Sequence, residues 1–138
     1  MSGTARFSVS LGRELMERFD RMWQTEGLPT RSEAVKAMIR RALVEQEWQH
    51  GGRVAGTIVV VYDHHARALA DRLIRAQHDF EDIVICTQHA HLDHDNCLEA
   101  IIVAGASQAV GRLVKRLKAI KGLKHTALMM TTTGEKLE

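Results

Sequence analysis

The stretch ARFSVSL, residues 5–11, alternates strictly between apolar and polar side chains. In an extended chain such alternation puts the two kinds of side chain on opposite faces. The apolar face carries Phe7, Val9 and Leu11, and the polar face carries Arg6, Ser8 and Ser10. The stretch therefore predicts a short β-strand with one buried face.

Two amphipathic helices are predicted after this strand. Between Arg13 and Glu26 the apolar residues recur at spacings of three and four, and Gly27 is placed to end the helix. The next piece, LPTRSEAVKAMIRRALVEQEW, has Thr30 three residues before Glu33, which is the spacing of a capping box. The first part of the chain is therefore predicted to be strand, helix, helix.

These three elements cannot form a folded core alone. A lone strand has two unpaired edges, and a domain below roughly 50 residues buries too little surface. The simplest solution pairs the strand antiparallel with its counterpart in a second copy of the chain, with four helices covering the apolar face of the ribbon. The polar face, with Arg6, Ser8 and Ser10, then points outward.

A glycine-rich stretch, QHGGRVAG at residues 49–56, separates this part from a second pattern. The later sequence reads as strand, helix, strand, strand, helix, strand, beginning with the continuous apolar run TIVVVYD, which suits a strand covered on both faces. This βαββαβ order matches the ferredoxin-like arrangement, a four-stranded antiparallel sheet with two helices on one face. We predict domains at residues 1–48 and 53–138.

Composition excludes several classes of protein. The 138 residues are 45% hydrophobic, enough for a globular core, and no apolar run approaches the roughly 18 residues of a membrane helix. We therefore expect no membrane association, no signal peptide and a cytoplasmic location. The net charge of +2 is small, so any contact with nucleic acid must depend on where individual arginines lie.

The segment CTQHAHLDHDNC, residues 86–97, is rich in metal-binding side chains. His89 and His91 are two residues apart on a predicted strand and share a face, and the turn that follows returns Cys97 beside them. His78 is the expected fourth ligand, from the same subunit or from a neighbour. Three imidazoles and a thiolate suit tetrahedral zinc or a square-planar Cu(II) or Ni(II) ion.

The remaining histidines and cysteine have simpler interpretations. Taken singly, His50, His64, His65 and His125 are interpreted as polar surface residues. Cys86 alternates with His89 and His91, so we expect it on the opposite face as a buried packing thiol. A catalytic pair of Cys97 and His91 is disfavoured, because no glycine-rich oxyanion turn or helix N-terminus lies beside it. We therefore do not expect an enzyme.

The segments RFSVSL and TRSEAVKAMIRRAL resemble the ribbon-helix-helix DNA-binding fold, and the spacing of His78, His89, His91 and Cys97 resembles that of the nickel-responsive regulators built on it. The resemblance implies an α+β chain with an ACT-like metal-binding domain, assembled as a homotetramer that is a dimer of dimers. It implies one square-planar Ni(II) per subunit, with His78 supplied by the facing subunit. It also implies a repressor of nickel-uptake or related genes that binds a palindromic operator in double-stranded DNA.

The DNA contacts follow partly from physical principles. A two-stranded ribbon fits the major groove, where Arg6 can read guanine and the hydroxyls of Ser8 and Ser10 can donate or accept hydrogen bonds. The backbone amides around Arg31 and Ser32, at the start of the second helix, are placed to bind a phosphate. These residues are the predicted DNA interface.

Three positions depart from the family pattern, since Ser8 and Ser10 stand where related regulators often have threonines and Ala37 differs as well. Ala37, one helical turn after Glu33, stands where related regulators have an acidic residue of an accessory cation site, so that site is not expected to be intact. Two other functions stay open. A regulator that responds to another metal, or to a small effector such as an amino acid, is an alternative. A buffering or hydrolytic protein would need an open metal site, which closed four-ligand coordination disfavours.

Overall fold

The computed structural model describes residues 3–137 of the chain. The chain divides into two compact units between Arg40 and Arg41. The elements are α1 (Arg13–Thr25), α2 (Arg31–Gln49), β1 (Arg53–Asp63), α3 (Arg67–Asp79), β2 (Val84–His91), β3 (Asn96–Ala106), α4 (Ser107–Lys118) and β4 (Leu123–Thr131). The predicted βαββαβ order after the glycine-rich stretch is confirmed.

Both predicted N-terminal helices are present. Helix α1 ends just before Gly27, whose φ of 75° lies in the left-handed region that glycine adopts without strain. Helix α2 begins after Thr30, whose hydroxyl oxygen accepts a hydrogen bond from the Glu33 N–H at 3.1 Å. The Glu33 carboxylate was predicted to complete the capping box but instead pairs with Lys36 Nζ at 2.6 Å.

The strand predicted at residues 5–11 is not formed in the single chain, since residues 3–12 contain no helix or strand. Phe7 and Val9 are 71% and 63% exposed. A strand requires hydrogen bonds to a neighbouring strand, and the neighbour predicted here is the same segment of a second chain. In a single chain the ribbon therefore has no partner to pair with, and its apolar face stays uncovered.

The four strands form one sheet in the order β2-β3-β1-β4, and every neighbouring pair is antiparallel. Strand β1 alternates between buried and half-buried residues. Its buried side chains face the same cluster as Leu73 of α3 and Leu113 of α4, so both helices cover one face, as predicted. The second face of β1, expected to be covered as well, is only half-buried, and no helix within residues 3–137 covers it.

Cys86 lies on this helix-free face, where it pairs with Ile102 of β3. The prediction that it faces away from His89 and His91 is confirmed, because those residues pair with Glu99 and Cys97 on the other face. The prediction that it is a buried packing thiol is wrong for the single chain, where Cys86 is exposed. The reason is that β2 is an edge strand and that none of the helices and strands described above packs over Cys86.

Gly56 of β1 allows a close approach of strand β4. A Cβ atom at this position would lie 2.7 Å from the carbonyl oxygen of Met129 and 3.4 Å from Cζ2 of Trp48. We expect Gly56→Ala to lower the free energy of unfolding by about 1–3 kcal/mol, because a backbone carbonyl in a paired strand cannot move aside cheaply.

Chemical denaturation at a fixed protein concentration measures this effect. The control is Gly111→Ala in helix α4, where a Cβ atom meets nothing within 4 Å. That change should raise the free energy of unfolding by about 0.5–1 kcal/mol, since alanine is the better helix former. Equal shifts in the two variants would contradict the steric explanation.

Candidate metal centre

The hairpin of β2 and β3 brings histidine and cysteine side chains together. The register puts His91 directly opposite Cys97 and His89 opposite Glu99, all on the helix-covered face. His91 Nδ1 lies 3.2 Å from Cys97 Sγ, and the ring centroids of His89 and His91 are 5.1 Å apart. The spacing H-x-H-x5-C therefore brings His91 into contact with Cys97 and leaves His89 beside His91, as expected for two strands joined by a short turn.

The geometry of this cluster fits a transition metal. A nitrogen about 2.0 Å and a sulfur about 2.3 Å from one ion lie about 3.1 Å apart at a right angle and about 3.5 Å apart at the tetrahedral angle. The observed 3.2 Å between His91 Nδ1 and Cys97 Sγ falls within this range. Imidazole and thiolate are also the ligand types that suit zinc, copper and nickel rather than magnesium or calcium.

A buried carboxylate orients His89. Glu99 is 9% exposed, its Oε1 lies 3.2 Å from His89 Nδ1, and the same oxygen accepts a hydrogen bond from the Tyr62 hydroxyl at 2.8 Å. Burial, reinforced by Glu99, keeps the pKa of Tyr62 above its ordinary value, so the phenol stays protonated and donates. Because Nδ1 is engaged by Glu99, Nε2 of His89 is left available as a metal ligand.

The thiol of Cys97 is fully buried. Burial raises the pKa of Cys97, and the carboxylates of Glu99, Asp93 and Asp63 raise it further. The thiol is therefore neutral in the metal-free chain near neutral pH. Since a metal binds the thiolate, coordination must release this proton, which makes metal affinity rise with pH.

His78 lies at the end of helix α3, apart from the cluster. Its side chain is 76% exposed, and its Nδ1 is 3.6 Å from Glu81 Oε2. The preceding residue, Gln77, points toward the sheet instead, donating to Glu99 Oε2 at 3.1 Å and accepting from the Thr87 hydroxyl at 2.6 Å. Within residues 3–137, neither His78 nor His89 belongs to a group of three donors within 4.8 Å of one another, so the ligand set of His78, His89, His91 and Cys97 stays a prediction.

His64 is a member of the cluster that sequence reasoning missed. Its donor atom lies within 4.8 Å of those of His91 and Cys97, and its ring centroid is 5.4 Å from that of His91. We interpreted His64 as a surface residue, but β1 pairs Tyr62 with Cys97, so the residues just after β1 must lie beside the hairpin turn. The sequence DHH directly after the buried strand is the signal that could have revealed it.

The predicted DNA-binding residues are all exposed. Arg6, Ser8 and Ser10 lie in the extended N-terminal segment, and Ser32 lies in the first turn of α2. The side chain of Arg31 makes two hydrogen bonds to Asp20 of α1, at 3.0 and 2.8 Å. This pairing lowers the pKa of Asp20 and ties α1 to the start of α2, and the contact of these five residues with DNA stays a prediction.

Comparison with known proteins finds a separate family match for each of the two parts of the chain. Residues 5–46 match the family described as ribbon-helix-helix protein, copG family, and residues 55–131 match the NikR C terminal nickel binding domain. A ribbon-helix-helix DNA-binding domain followed by a metal-binding ACT-like domain defines a class of protein, the metal-responsive DNA-binding regulators. Within that class, the chain belongs to the family of nickel-responsive regulators, and it binds nickel and DNA.

The similarity to individual relatives extends over the whole chain. A nickel-responsive regulator from Nitratidesulfovibrio vulgaris is 49% identical over 138 residues, covering 99% of both chains. One from Chlorobaculum parvum is 48% identical over 132 residues, covering 96% of this chain and 98% of its own. An uncharacterised protein from Thermotoga maritima shares the fold of 56% of the chain, covering 96% of its own, with a TM-score of 0.52 at 10% identity.

The remaining findings concern enzyme activity and membrane-spanning helices. The curated relatives are named as regulators, which agrees with the expectation that the chain is not an enzyme. Among the helices of residues 3–137, none is both long enough and apolar enough to cross a bilayer.

We expect Glu99→Gln to lower nickel affinity by about 10- to 100-fold, the usual cost of losing a group that orients a metal-bound histidine. The amide can no longer accept from Tyr62, His89 and Gln77 with the strength of a carboxylate, so His89 loses its fixed orientation. Competition with a chelator measures the affinity. Asp71→Asn, which removes an exposed carboxylate of α3, is the control, and an equal loss in both variants would contradict the orienting role.

Proposed function

We propose that the chain is a nickel-dependent transcriptional repressor that binds a palindromic operator when loaded with Ni(II) and controls nickel uptake or related metal handling. The observation that carries the proposal is the 3.2 Å contact between His91 and Cys97, in a domain of the nickel-binding family joined to a DNA-binding domain. Imidazole is a borderline ligand and thiolate a soft one, and late first-row ions such as Ni(II) bind both types well.

The proposed ligands are His89, His91 and Cys97 of one subunit and His78 of the partner subunit, for one Ni(II) per subunit. His89 is favoured over His64 because a buried carboxylate and a phenol fix its ring, as is usual for metal-bound histidine. The high exposure of His78, at the end of a helix tied to the site through Gln77, supports its donation across an interface rather than within its own chain.

Two uncovered apolar surfaces support the proposed homotetramer, a dimer of dimers. The N-terminal segment exposes Phe7 and Val9, which suits a ribbon paired between two chains in the proposed domain 1–48. In the proposed domain 53–138, the helix-free face of the sheet carries the exposed residues Ile102 and Met129. Exposed apolar faces of this kind mark protein interfaces. We therefore assign the N-terminal face to the pairing of two chains and the helix-free face of the sheet to the contact between dimers.

In the proposed complex the ribbon enters the major groove of operator DNA. Arg6 reads guanine, Ser8 and Ser10 contact neighbouring bases, and the amides of Arg31 and Ser32 bind a phosphate. Since Asp20 already binds the Arg31 guanidinium, that side chain acts by fixing the start of α2 rather than by contacting bases.

Metal binding and DNA binding are coupled through the assembly. When bound, Ni(II) cross-links the hairpin of one subunit to the end of helix α3 of another. Gln77 carries this constraint to Glu99 and Thr87, so helix α3 and the sheet are held as one body. Restricting the arrangements of the subunits favours those able to engage two half-sites at once, with no new base contact.

Reciprocity provides the test of this coupling. If nickel raises operator affinity by some factor, operator DNA must raise nickel affinity by the same factor. Nickel affinity is measured by chelator competition with and without the promoter DNA of the protein's own target genes. Equal nickel affinities in the two titrations would refute coupling, and transcription that does not fall on nickel loading would refute repression.

The cluster of His64, His91 and Cys97 favours a second candidate, a regulator that responds to another metal. Three donors within 4.8 Å of one another in a single chain suit a tetrahedral ion such as zinc. His64→Ala and His89→Ala separate the two candidates. Loss of nickel-dependent DNA binding in His89→Ala alone supports the nickel regulator, whereas zinc-dependent binding lost in His64→Ala supports the alternative.

A further inference from the structure

We propose that a cavity between the end of helix α2 and the C-terminal tail, residues 132–137, binds a small zwitterion. The ligand class is a molecule that carries an ammonium group and a carboxylate on a short aliphatic skeleton, such as an aliphatic amino acid. The cavity has a volume of about 440 Å³, within the range of about 300–1,000 Å³ that is usual for small-molecule sites. Its lining combines side chains of both charges with polar and apolar ones, namely Leu43, Gln46, Glu47, His50, Lys136 and Leu137.

This cavity is separate from the sites described above. Every residue that lines it belongs to the compact unit of residues 41–138, and none is a proposed metal ligand or DNA contact. A ligand bound here would therefore be a second small molecule of the protein, recognised independently of nickel.

Glu47 indicates where the ammonium group would bind. Its Oε2 atom is shielded from solvent, and no group within residues 3–137 donates a hydrogen bond to it. A buried carboxylate oxygen without a donor is costly, because the charge has lost its water and gained nothing in return. An ammonium group has three N–H donors and a compensating charge, so it can supply the missing partner.

Lys136 indicates where the carboxylate would bind. Glu47 and Lys136 line the same cavity and have opposite charges, yet none of the ion pairs formed within residues 3–137 joins them. A simple cation would satisfy Glu47 and be repelled by Lys136, and a simple anion would do the reverse. A zwitterion can bridge the two side chains, one charged group to each.

Two leucines define the apolar part of the ligand. Leu43 of α2 is 41% exposed, and Leu137 of the tail is half-buried. Both line the cavity, so an aliphatic chain that enters it removes apolar surface of both leucines from water. The lining therefore favours an aliphatic skeleton over a strongly polar one.

The walls of the cavity are held in place by hydrogen bonds. The Gly52 N–H donates to the Glu47 carbonyl oxygen at 3.0 Å, and the Gly52 carbonyl oxygen accepts from the Ser107 N–H at 3.1 Å. The Trp48 indole N–H donates to the carbonyl oxygen of Thr131, directly before the tail, at 2.9 Å. The end of α2 and the start of the tail are thus fixed before a ligand arrives, which lowers the entropic cost of binding.

The first test compares three probes that share one aliphatic skeleton. Full-length protein is titrated calorimetrically with L-leucine, with leucinamide, which lacks the carboxylate, and with 4-methylpentanoate, which lacks the ammonium group. No nickel is added, because amino acids chelate Ni(II). We expect L-leucine to bind at least about tenfold more tightly than either analogue, since each analogue loses a hydrogen bond between charged groups.

The outcomes of this comparison are decisive. If neither L-leucine nor L-valine binds, the zwitterion site is refuted. If leucinamide binds as tightly as L-leucine, the cavity recognises a cation alone, and equal binding of 4-methylpentanoate would mean an anion alone. Either result would overturn the bridging role of the two charges.

The second test assigns each charge of the ligand to one side chain. Glu47→Gln and Lys136→Gln keep the approximate size of the side chain and remove its charge, and each should weaken L-leucine binding by about 10- to 100-fold. Glu47→Gln should also remove the preference for L-leucine over 4-methylpentanoate, whereas Lys136→Gln should remove the preference over leucinamide. Lys136 is exposed, so its replacement does not endanger the fold.

Lys118→Gln is the matched control. It removes the same charge from an exposed position at the end of α4, away from the residues that line the cavity. Both preferences should persist in this variant. If they also persist in Glu47→Gln and Lys136→Gln, or if Lys118→Gln weakens L-leucine binding equally, the assignment of the site is wrong.

Discussion

Replacement of Cys97 by alanine is expected to abolish the sulfur-to-nickel charge-transfer absorption and to lower nickel affinity by more than about 100-fold, beyond the usual effect of changes outside the ligand shell. Cys97 is fully buried and contacts His91 at 3.2 Å, so no other thiol can replace it without rearranging the hairpin. Nickel-dependent binding to operator DNA should be lost together with the metal. Absorption spectroscopy, chelator competition and a DNA-binding assay at fixed nickel concentration measure the three effects.

The chain offers a matched control in its second thiol. Cys86 is exposed on the opposite face of the same hairpin, and Cys86→Ser should leave the charge-transfer absorption unchanged. A band that survives in Cys97→Ala but disappears in Cys86→Ser would mean that nickel binds on the helix-free face. That result would remove the basis of the four-ligand proposal.

The hairpin indicates how far the positions of the proposed ligands could be predicted from sequence. Alternation along β2 puts His89 and His91 on one face, and a turn of four residues returns Cys97 opposite His91. Local periodicity is sufficient for this, because both strands of a hairpin are close in sequence. His64 could not be placed in the same way, since its approach to the site depends on the pairing of β1 with β3.

Glu99 and Tyr62 illustrate a second limit on what could be predicted from the sequence. Each sits in an apolar strand pattern, where a tyrosine and a glutamate read as ordinary strand residues. The orienting role proposed for them depends on the contacts of the buried Glu99 carboxylate with the Tyr62 hydroxyl and His89. A supporting network of this kind depends on three strands in the correct register, which no single stretch of sequence encodes.

The sequence predicts more burial than the single chain shows at the N-terminal segment and on the second face of the sheet. The strict alternation of residues 5–11 and the continuous apolar run of β1 both indicate more burial than one chain provides. The proposed assembly would account for this difference, since Phe7 and the helix-free face are uncovered in a single chain and would be covered by other copies. For the same reason Cys86, predicted to be buried, is exposed here, and its environment depends on what packs on that face.

The largest effect on DNA binding is expected from Arg6→Ala. An arginine that reads guanine in the major groove contributes about 1–3 kcal/mol, and a two-stranded ribbon presents this residue twice to each half-site. Loss of both contacts should weaken binding at each half-site by about 30-fold to 10⁴-fold at constant salt, since each 1.4 kcal/mol is a tenfold change in the equilibrium constant. Nickel affinity in the absence of DNA should be unchanged, because Arg6 lies outside the metal-binding domain.

Arg112→Ala is the matched control for this prediction. It removes the same charge from an exposed position on helix α4, so it tests whether the loss reflects net charge or the position of Arg6. Fluorescence anisotropy is measured with nickel-loaded protein on the operator and on a scrambled duplex of equal length. Arg6→Ala should reduce the ratio of the two affinities, whereas Arg112→Ala should preserve it. If Arg6→Ala binds both duplexes as wild type does, the ribbon is not the reading surface, and the arginines of the helices become the residues to examine.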